Sequence, residues 1–496
     1  MKKKEPLKVL MVSSEAVPFA KSGGLADVVS ALSISLAEKG VDVRILLPSY
    51  GSAAREEVRA SSEITVPIGI ASETMRVSET SLPRSSVPVY LLESRSLYGR
   101  EGIYGDSSNV AFADNVRRFT ALNRASFEVC RSLEWLPDIF HVHDWPTALL
   151  PQYLKTKEAA GAFHSSASVL TIHNIGYQGT FSKQDLYYTN LKWADLREEG
   201  ESATTINFLR SGLRAADRLT TVSPTYATEI QSAGLGFHLE QQLQARSKDL
   251  LGILNGIDYV EWNPEADPLV PGHFSEVDLS GKKVNKRALQ ELCGFPADPS
   301  IPIIGIVSRL VDQKGFMELL SPGIGSLPQI CRDMVVQVVV LGTGEPWCEQ
   351  ELTRLDKVLP NLRAFIGFDN KKAHLIEAGS DFFLMPSRYE PCGLNQMYSL
   401  RYATLPIVRR TGGLADTVEQ YNQETGDGTG FLFDDLTPRS IYDVTGWAVW
   451  AWYNRKAHIE AMRRRAMQKR FSWDSSADQY LEVYDQAAAS RRAHLP

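Results

Sequence analysis

Lys21-Ser22-Gly23-Gly24-Leu25-Ala26-Asp27-Val28-Val29, near the start of the chain, returns near its end as Arg410-Thr411-Gly412-Gly413-Leu414-Ala415-Asp416-Thr417-Val418. Each copy follows a short apolar run and opens a run with helical spacing. In each, a basic residue and a hydroxyl precede two glycines. Glycine lets the backbone turn tightly and come close to a ligand. The first N–H groups of a helix have no internal partner and lie at the positive end of its dipole, so such a turn suits an anion. One turn of this kind is an ordinary strand-to-helix connection. Two of them, in halves with the same layout, point to anion binding in each of two related domains.

Outward from the first copy, residues 8–13 (KVLMVS) read as a buried strand. Leu25, Val28, Val29, Leu32 and Leu36 then recur at helical spacing up to Gly40, and residues 41–47 return as a strand. This β-α-β opening predicts a parallel sheet. Residues 63–92 alternate like added strands or a hairpin, 102–114 (GIYGDSSNVAFAD) read as a loop, and a helix is expected from Asn115 to about Arg131. Four further strands, 139–143, 168–172, 218–222 and 251–254, end at His143-Asp144-Trp145, His173-Asn174, Ser223-Pro224 and Asn255-Gly256. Ligands of open α/β sheets bind beyond the carboxyl ends of the strands, so these endings are expected to line one cleft.

Prolines punctuate 264–299, where the chain is expected to cross to a second domain. There a second β/α series follows, with strands at 303–307, 335–341, 362–366, 382–385 and 406–408. A polar amphipathic helix is expected from 473 to 492. The predicted fold class is therefore α/β, with two Rossmann-like domains facing across a deep cleft. The expected division is 1–260, a crossover at 261–300, 301–472, and a C-terminal helix, 473–496, returning to the first domain.

Composition agrees with a globular protein of more than one domain: 496 residues, 43% hydrophobic and 23% charged. A net charge of -6 argues against a nucleic-acid partner, which would call for a basic field. No apolar run is long enough to cross a bilayer, so no membrane partner is expected. The basic start, Met1-Lys2-Lys3-Lys4, leads into a run too short for a signal peptide. Five scattered cysteines without a C-x-x-C pair read as reduced thiols, and the expected location is cytoplasmic.

Several constellations carry chemistry. In Ser308-Arg309-Leu310-Val311-Asp312-Gln313-Lys314-Gly315 a guanidinium and an ammonium follow the first strand of the second half, a pattern that suits a diphosphate. In Arg388-Tyr389-Glu390-Pro391-Cys392-Gly393-Leu394 a carboxylate stands on a Pro/Gly-bounded turn beyond a strand. His141 and His143 share one strand face, but no third ligand accompanies them, so no metal is expected. Asp-x-Asp is absent, which removes a common way of holding a metal-bound nucleotide sugar. Gly342-Thr343-Gly344 lacks the third glycine of a dinucleotide fingerprint, since Trp347 stands there, and no P-loop motif occurs.

Together the stretches KSGGLADV, HVHDW, TIHNIGYQG, TTVSPTYATEI, GILNGID, SRLVDQKG, LGTGE, RYEPCGLNQ and TGGLADTV resemble the bacterial-type glycogen synthases and plant starch synthases, in order and from Lys8 to about Tyr484. The resemblance implies a retaining glucosyltransferase without a cofactor, which passes glucose from ADP-glucose to the non-reducing end of an α-1,4-glucan such as glycogen. It implies that Lys21, with Gly23 and Gly24, meets the donor phosphates, that Arg309 and Lys314 hold the diphosphate leaving group, and that Glu390 is the essential carboxylate near the donor sugar. By the same resemblance His173 stands at the reacting sugar, and Asp144 and Asn255 line the sugar site. Cys392, Gly393 and Leu394 continue the Glu390 turn. Thr411, Gly412 and Gly413 lie beside the phosphates, and Tyr104 belongs to an acceptor-side loop. Two departures stand out: Ser22 replaces the more usual threonine but keeps the hydroxyl, and Tyr398 occupies the second acidic position of the E-x7-E pattern of related transferases. The rival readings are a UDP-glucose-using relative, a catalytically inactive glucan-binding protein, a sucrose-forming transferase and an NAD-dependent oxidoreductase. The last would need the missing third glycine.

Overall fold

The apolar runs that open each half become the central strands of two separate sheets in the computed structural model, which describes residues 5–51, 58–106, 110–197 and 204–493. Of the expected loop at 102–114, residues 107–109 lie outside the described residues, as does the basic start at 1–4. The chain divides into one unit of Met1–Val222, Ala227–Gly256 and Trp473–Pro496, and another of Ser223–Tyr226 and Ile257–Ser472.

In the first unit the strands in chain order are β1 (Lys8–Val12), β2 (Asp42–Pro48), β3 (Ala60–Ile68), β4 (Ala71–Ser81), β5 (Pro88–Glu93), β6 (Ile139–His143), β7 (Ala167–Ile172), β8 (Thr180–Ser182), β9 (Thr205–Asn207), β10 (Arg218–Thr221) and β11 (Leu250–Gly252). Nine of them form one sheet in the order β11-β10-β7-β6-β1-β2-β5-β4-β3, parallel except for the antiparallel β3 and β4; β8 and β9 form a separate two-stranded antiparallel sheet. The chain begins on β1, builds outward through β2 and β5, and then returns to β6 on the other side of β1. Strand order therefore reverses between β1 and β6, and the carboxyl ends at such a switch point are where open α/β sheets bind ligands. Helix α1 (Gly24–Glu38) makes the first crossover; Leu25, Val28, Val29, Leu32 and Leu36 are buried as the spacing predicts, and Gly40 follows at φ 86°, which only glycine adopts freely. Helix α2 (Asn115–Ser132) fills the expected place. The C-terminal helix Trp473–Ala493 packs on α1 and β7 in this unit.

The second unit holds β12 (Ile303–Val307), β13 (Gln337–Gly342), β14 (Leu362–Ile366), β15 (Phe382–Met385), β16 (Leu405–Arg409) and β17 (Phe431–Phe433), ordered β14-β13-β12-β15-β16-β17. Its order reverses between β12 and β15. Side chains alternate between two buried faces: Ile304, Ile306, Val338 and Val340 join one cluster, and Ile303, Val339 and Leu341 the other. That is why these strands read as unbroken apolar runs. The edge strand β17 had no counterpart in the sequence reading. The proline-punctuated stretch 261–300, expected as a crossover, lies within the second unit: its helix Ser280–Cys293 packs on Asn370–Gly379. There the buried Lys282 ammonium donates to the carbonyls of Ala378 and Tyr402 and to Thr404 Oγ1, at 3.1, 2.8 and 2.7 Å. Prolines here mark a folded segment, and the chain leaves the first unit earlier, after Gly256.

Candidate active site

At the switch point of the first unit, Ser13-Ser14-Glu15 leaves β1. Glu15 is 2% exposed. Its carboxylate accepts from the Ser22 N–H at 2.5 Å, the Ser22 hydroxyl at 2.7 Å, the Gly23 N–H at 3.3 Å and the Tyr104 hydroxyl at 2.6 Å. The first Gly-Gly turn does bind an anion, and that anion is the protein's own carboxylate. Gly24 opens α1 at the surface, and Lys21 extends to Asp27 at 2.7 Å, half exposed. Tyr104 also meets Ser14 Oγ at 2.8 Å, and its carbonyl takes the Asn115 amide at 2.8 Å. These bonds pin the 102–106 loop to β1 and α2. Glu15 escaped the sequence reading, although a polar residue directly beyond a central strand was the available signal.

Across the switch point β6 ends in His143 and Asp144. Asp144 takes φ 55°, the left-handed region that carboxylate side chains tolerate best among non-glycines, and its Oδ1 accepts from the N–H groups of His173 and Asn174 at 2.7 and 3.3 Å. This clamps the end of β7 to the end of β6. Burial pushes the Asp144 carboxyl up to about 7, against the pull of those two N–H groups. His143 Nδ1 lies 3.0 Å from His173 Nε2. His141 packs against His143 with ring centroids 4.2 Å apart and is held by Tyr484 of the C-terminal helix and by Thr171, at 2.8 and 2.6 Å. Burial holds the His141 and His173 rings down to about 3 and His143 well below its usual value, so all three are neutral at neutral pH. Asn255, beyond β11, is buried, and its Oδ1 has no partner among the described residues.

In the second unit the loops after β12 and β15 are tied together. Arg388 bridges Asp312 at 3.0 Å and Glu318 at 2.8 Å, and its N–H donates to the Gln313 carbonyl at 2.8 Å. This brings Lys314 Nζ to 2.6 Å from Glu390 Oε2, which also accepts from Ser387 Oγ at 2.8 Å. Gly315 must be glycine: it sits at φ 78° and a Cβ would strike the Pro386 carbonyl. Arg309 is exposed and reaches Gln313 Oε1 at 3.3 Å. The second Gly-Gly turn starts the helix Gly412–Thr417 directly against the Glu390 turn. A Cβ on Gly412 would strike the Glu390 carbonyl, and one on Gly413 the Cys392 carbonyl. Thr411 is buried as the N-cap, Gly393 turns at φ 70°, and Leu394 caps the helix Asn395–Arg401. Within that helix the fully buried Gln396 donates to the carbonyls of Cys392 and Gly393 at 2.9 and 3.0 Å, fixing the turn from behind. Tyr398, at the position of the second carboxylate in related transferases, instead stacks on Trp262 at 3.8 Å. Phe368, just beyond β14, is 86% exposed and was not read from the sequence.

Comparison with known proteins identifies the family. A starch synthase catalytic domain model matches residues 8–245, and a glycosyl transferases group 1 model matches residues 295–444. A glycogen synthase of Treponema denticola is 51% identical over 491 residues, 99% of this chain and 100% of that one. The chain belongs to the glycogen and starch synthase family. Glycogen synthase 1 of Geobacter sulfurreducens is 45% identical over 492 residues, 98% of this chain and 97% of its own. The catalytic domain of starch synthase IV from Arabidopsis thaliana, solved bound to ADP and acarbose, superposes with a TM-score of 0.88 at 31% identity, covering 98% of this chain and 100% of that one. A sucrose-phosphate synthase from Thermosynechococcus elongatus, with a TM-score of 0.61 at 16% identity, shares the fold. The resemblance read from the motifs is borne out, and with it a glycosyltransferase of GT-B type with two α/β domains, each built on a mainly parallel sheet. No helix among the described residues is long and apolar enough to cross a membrane.

Proposed function

We propose that the chain transfers glucose from ADP-glucose to the non-reducing end of an α-1,4-glucan with retention of the anomeric configuration. The observation that carries this reading is the Lys314–Glu390 pair, locked at 2.6 Å at the switch point of the second sheet in a chain of this family. With Oε2 occupied by Lys314 and Ser387, Glu390 keeps Oε1 to accept from a hydroxyl of the donor sugar. Lys314 and Arg309 meet the diphosphate and stabilise the charge that grows on it as the glycosidic oxygen leaves, while the Gly413 N–H is spent on the Glu390 and Pro391 carbonyls at 3.1 and 3.2 Å and holds the two turns together. The exposed ring of Phe368, at the ligand end of the second sheet, offers a face for the base. Tyr104 and Trp145, with ring centroids 5.9 Å apart, offer stacking surface to an acceptor sugar, beside Asp144, His173 and Asn255. Held near 3, His173 is a hydrogen-bonding group at neutral pH and not a proton carrier.

The test is transfer of labelled glucose to glycogen from ADP-glucose and UDP-glucose side by side, with the new linkage identified by NMR. Faster incorporation from ADP-glucose into α-1,4 linkages is expected. No incorporation, a preference for UDP-glucose, or β-linked product overturns the corresponding part of the reading.

A further inference from the structure

His143 ends β6 fully buried, with Nδ1 3.0 Å from Nε2 of His173. Two neutral imidazoles joined in this way place one N–H and one lone pair between them. The other His143 nitrogen, Nε2, is enclosed and has no hydrogen-bond partner among the described residues. The two possible proton placements differ in what they leave unpaired. With the proton on Nε2, a buried N–H is stranded, which folded proteins rarely tolerate; with the proton on Nδ1, only a lone pair is left. Turning the ring over would give up the bond to His173. The ring also packs against His141 at a 33° tilt, with centroids 4.2 Å apart, and the two nitrogens of His141 are engaged by Tyr484 and Thr171.

We infer that His143 is a positioning residue that sets the tautomer of His173: His143 Nδ1–H donates to His173 Nε2, so His173 carries its proton on Nδ1 and offers it as a hydrogen-bond donor to an oxygen of the bound sugar. Burial keeps both rings neutral, so the pair fixes a tautomer and not a charge. The step to the sugar rests on the function proposed above; the tautomer does not, and it is read without turnover.

Long-range 1H–15N correlation on the full chain with 15N-labelled histidine, between pH 7 and 8, reads the tautomer directly. The His173 signals are identified by their loss in His173→Gln. Expected are a protonated Nδ1 and a bare Nε2 at His173. A proton on His173 Nε2 overturns the inference whatever the activity of the enzyme. In His143→Leu the donor is gone, so His173 is expected to show mixed tautomers, with kcat down roughly five- to tenfold, the worth of one hydrogen bond, and KM for the nucleotide sugar unchanged. His143→Asn, which returns an N–H near the Nδ1 position, is expected to restore both the His173 signature and kcat. A His143→Leu protein whose His173 remains wholly Nδ1-protonated removes the positioning role. Unchanged kcat alongside mixed tautomers removes the step to the sugar.

Discussion

Glu390 owes its place to two side chains and to the close packing of its turn. Lys314 and Ser387 fix one of its oxygens, while the turn that carries it lies against Gly412 and Gly413 so closely that neither position has room for a side chain. Two predictions follow at this scale. Glu390→Ala is expected to lower kcat by ~10²–10³, the usual loss for one placed polar group at a reacting centre, with the folded structure retained by circular dichroism although the melting temperature falls as Lys314 loses its partner; near-normal kcat would remove Glu390 from the reaction. Gly413→Ala has no φ penalty, so its effect comes from the collision with Cys392 alone. Overpacking of this kind costs about 1–3 kcal/mol, and displacement of the Glu390 turn is expected to cut kcat tenfold or more, by analogy with misplaced catalytic groups. A Gly413→Ala enzyme with full activity would show that the turn can shift without consequence.

At the scale of elements, the ends of β6 and β7 concentrate groups whose protonation is set by burial. A histidine whose folded pKa is depressed contributes stability that is present above its unfolded value near 6.5 and is lost as pH falls toward the folded value. His141 and His173, held near 3, each contribute on the order of 4 kcal/mol in this way. Asp144 works in the opposite sense: raised to about 7, it contributes stability below 3.8 that is lost as pH rises through 7. Per group the two effects are comparable, but three rings, His143 included, stand against one carboxyl. The first unit is therefore expected to lose stability between pH 6.5 and 4. Urea unfolding at pH 7 and pH 5 measures this, with His173→Gln as the control that should flatten the slope. A midpoint that rises at pH 5, or a slope that the control leaves unaltered, contradicts the assignment.

For the molecule as a whole, the proposed function asks one diphosphate to meet Arg309 and Lys314. If it does, Arg309→Ala and Lys314→Ala are coupled through it. ADP titration calorimetry on both single variants and the double variant is expected to show departure from additivity by at least 0.5 kcal/mol, the lower end for groups sharing a partner. Strict additivity would assign the two residues to separate ligands. These two cations can offset the charge of a diphosphate without a metal, and the chain contains no Asp-x-Asp to hold one. Turnover is thus expected to persist in excess chelator, and abolition with rescue by magnesium would refute this.

The sequence by itself determined the two sheets and the crossover helix α1 with its glycine stop, and it pointed to the strand-end stretches in which the proposed site residues Lys21, His173, Lys314 and Glu390 stand. These were legible because strand and helix spacing is local, and because buried parallel strands need unbroken apolar runs while ligand-end loops need glycine and charge. The short edge strand β17 and the membership of 261–300 in the second unit were not legible, since a three-residue strand has no period to detect and prolines bound folded segments as readily as linkers. Only the tertiary structure decided what each charged group meets. It gave the first Gly-Gly turn to Glu15, set Lys314 on Glu390, turned Tyr398 onto Trp262 and joined His143 to His173. Hydrogen bonds and ion pairs depend on distances of a few ångströms between residues far apart in the chain, 76 positions for Lys314 and Glu390 and 343 for His141 and Tyr484. Local spacing does not encode such distances; packing of the two strand ends at a switch point does.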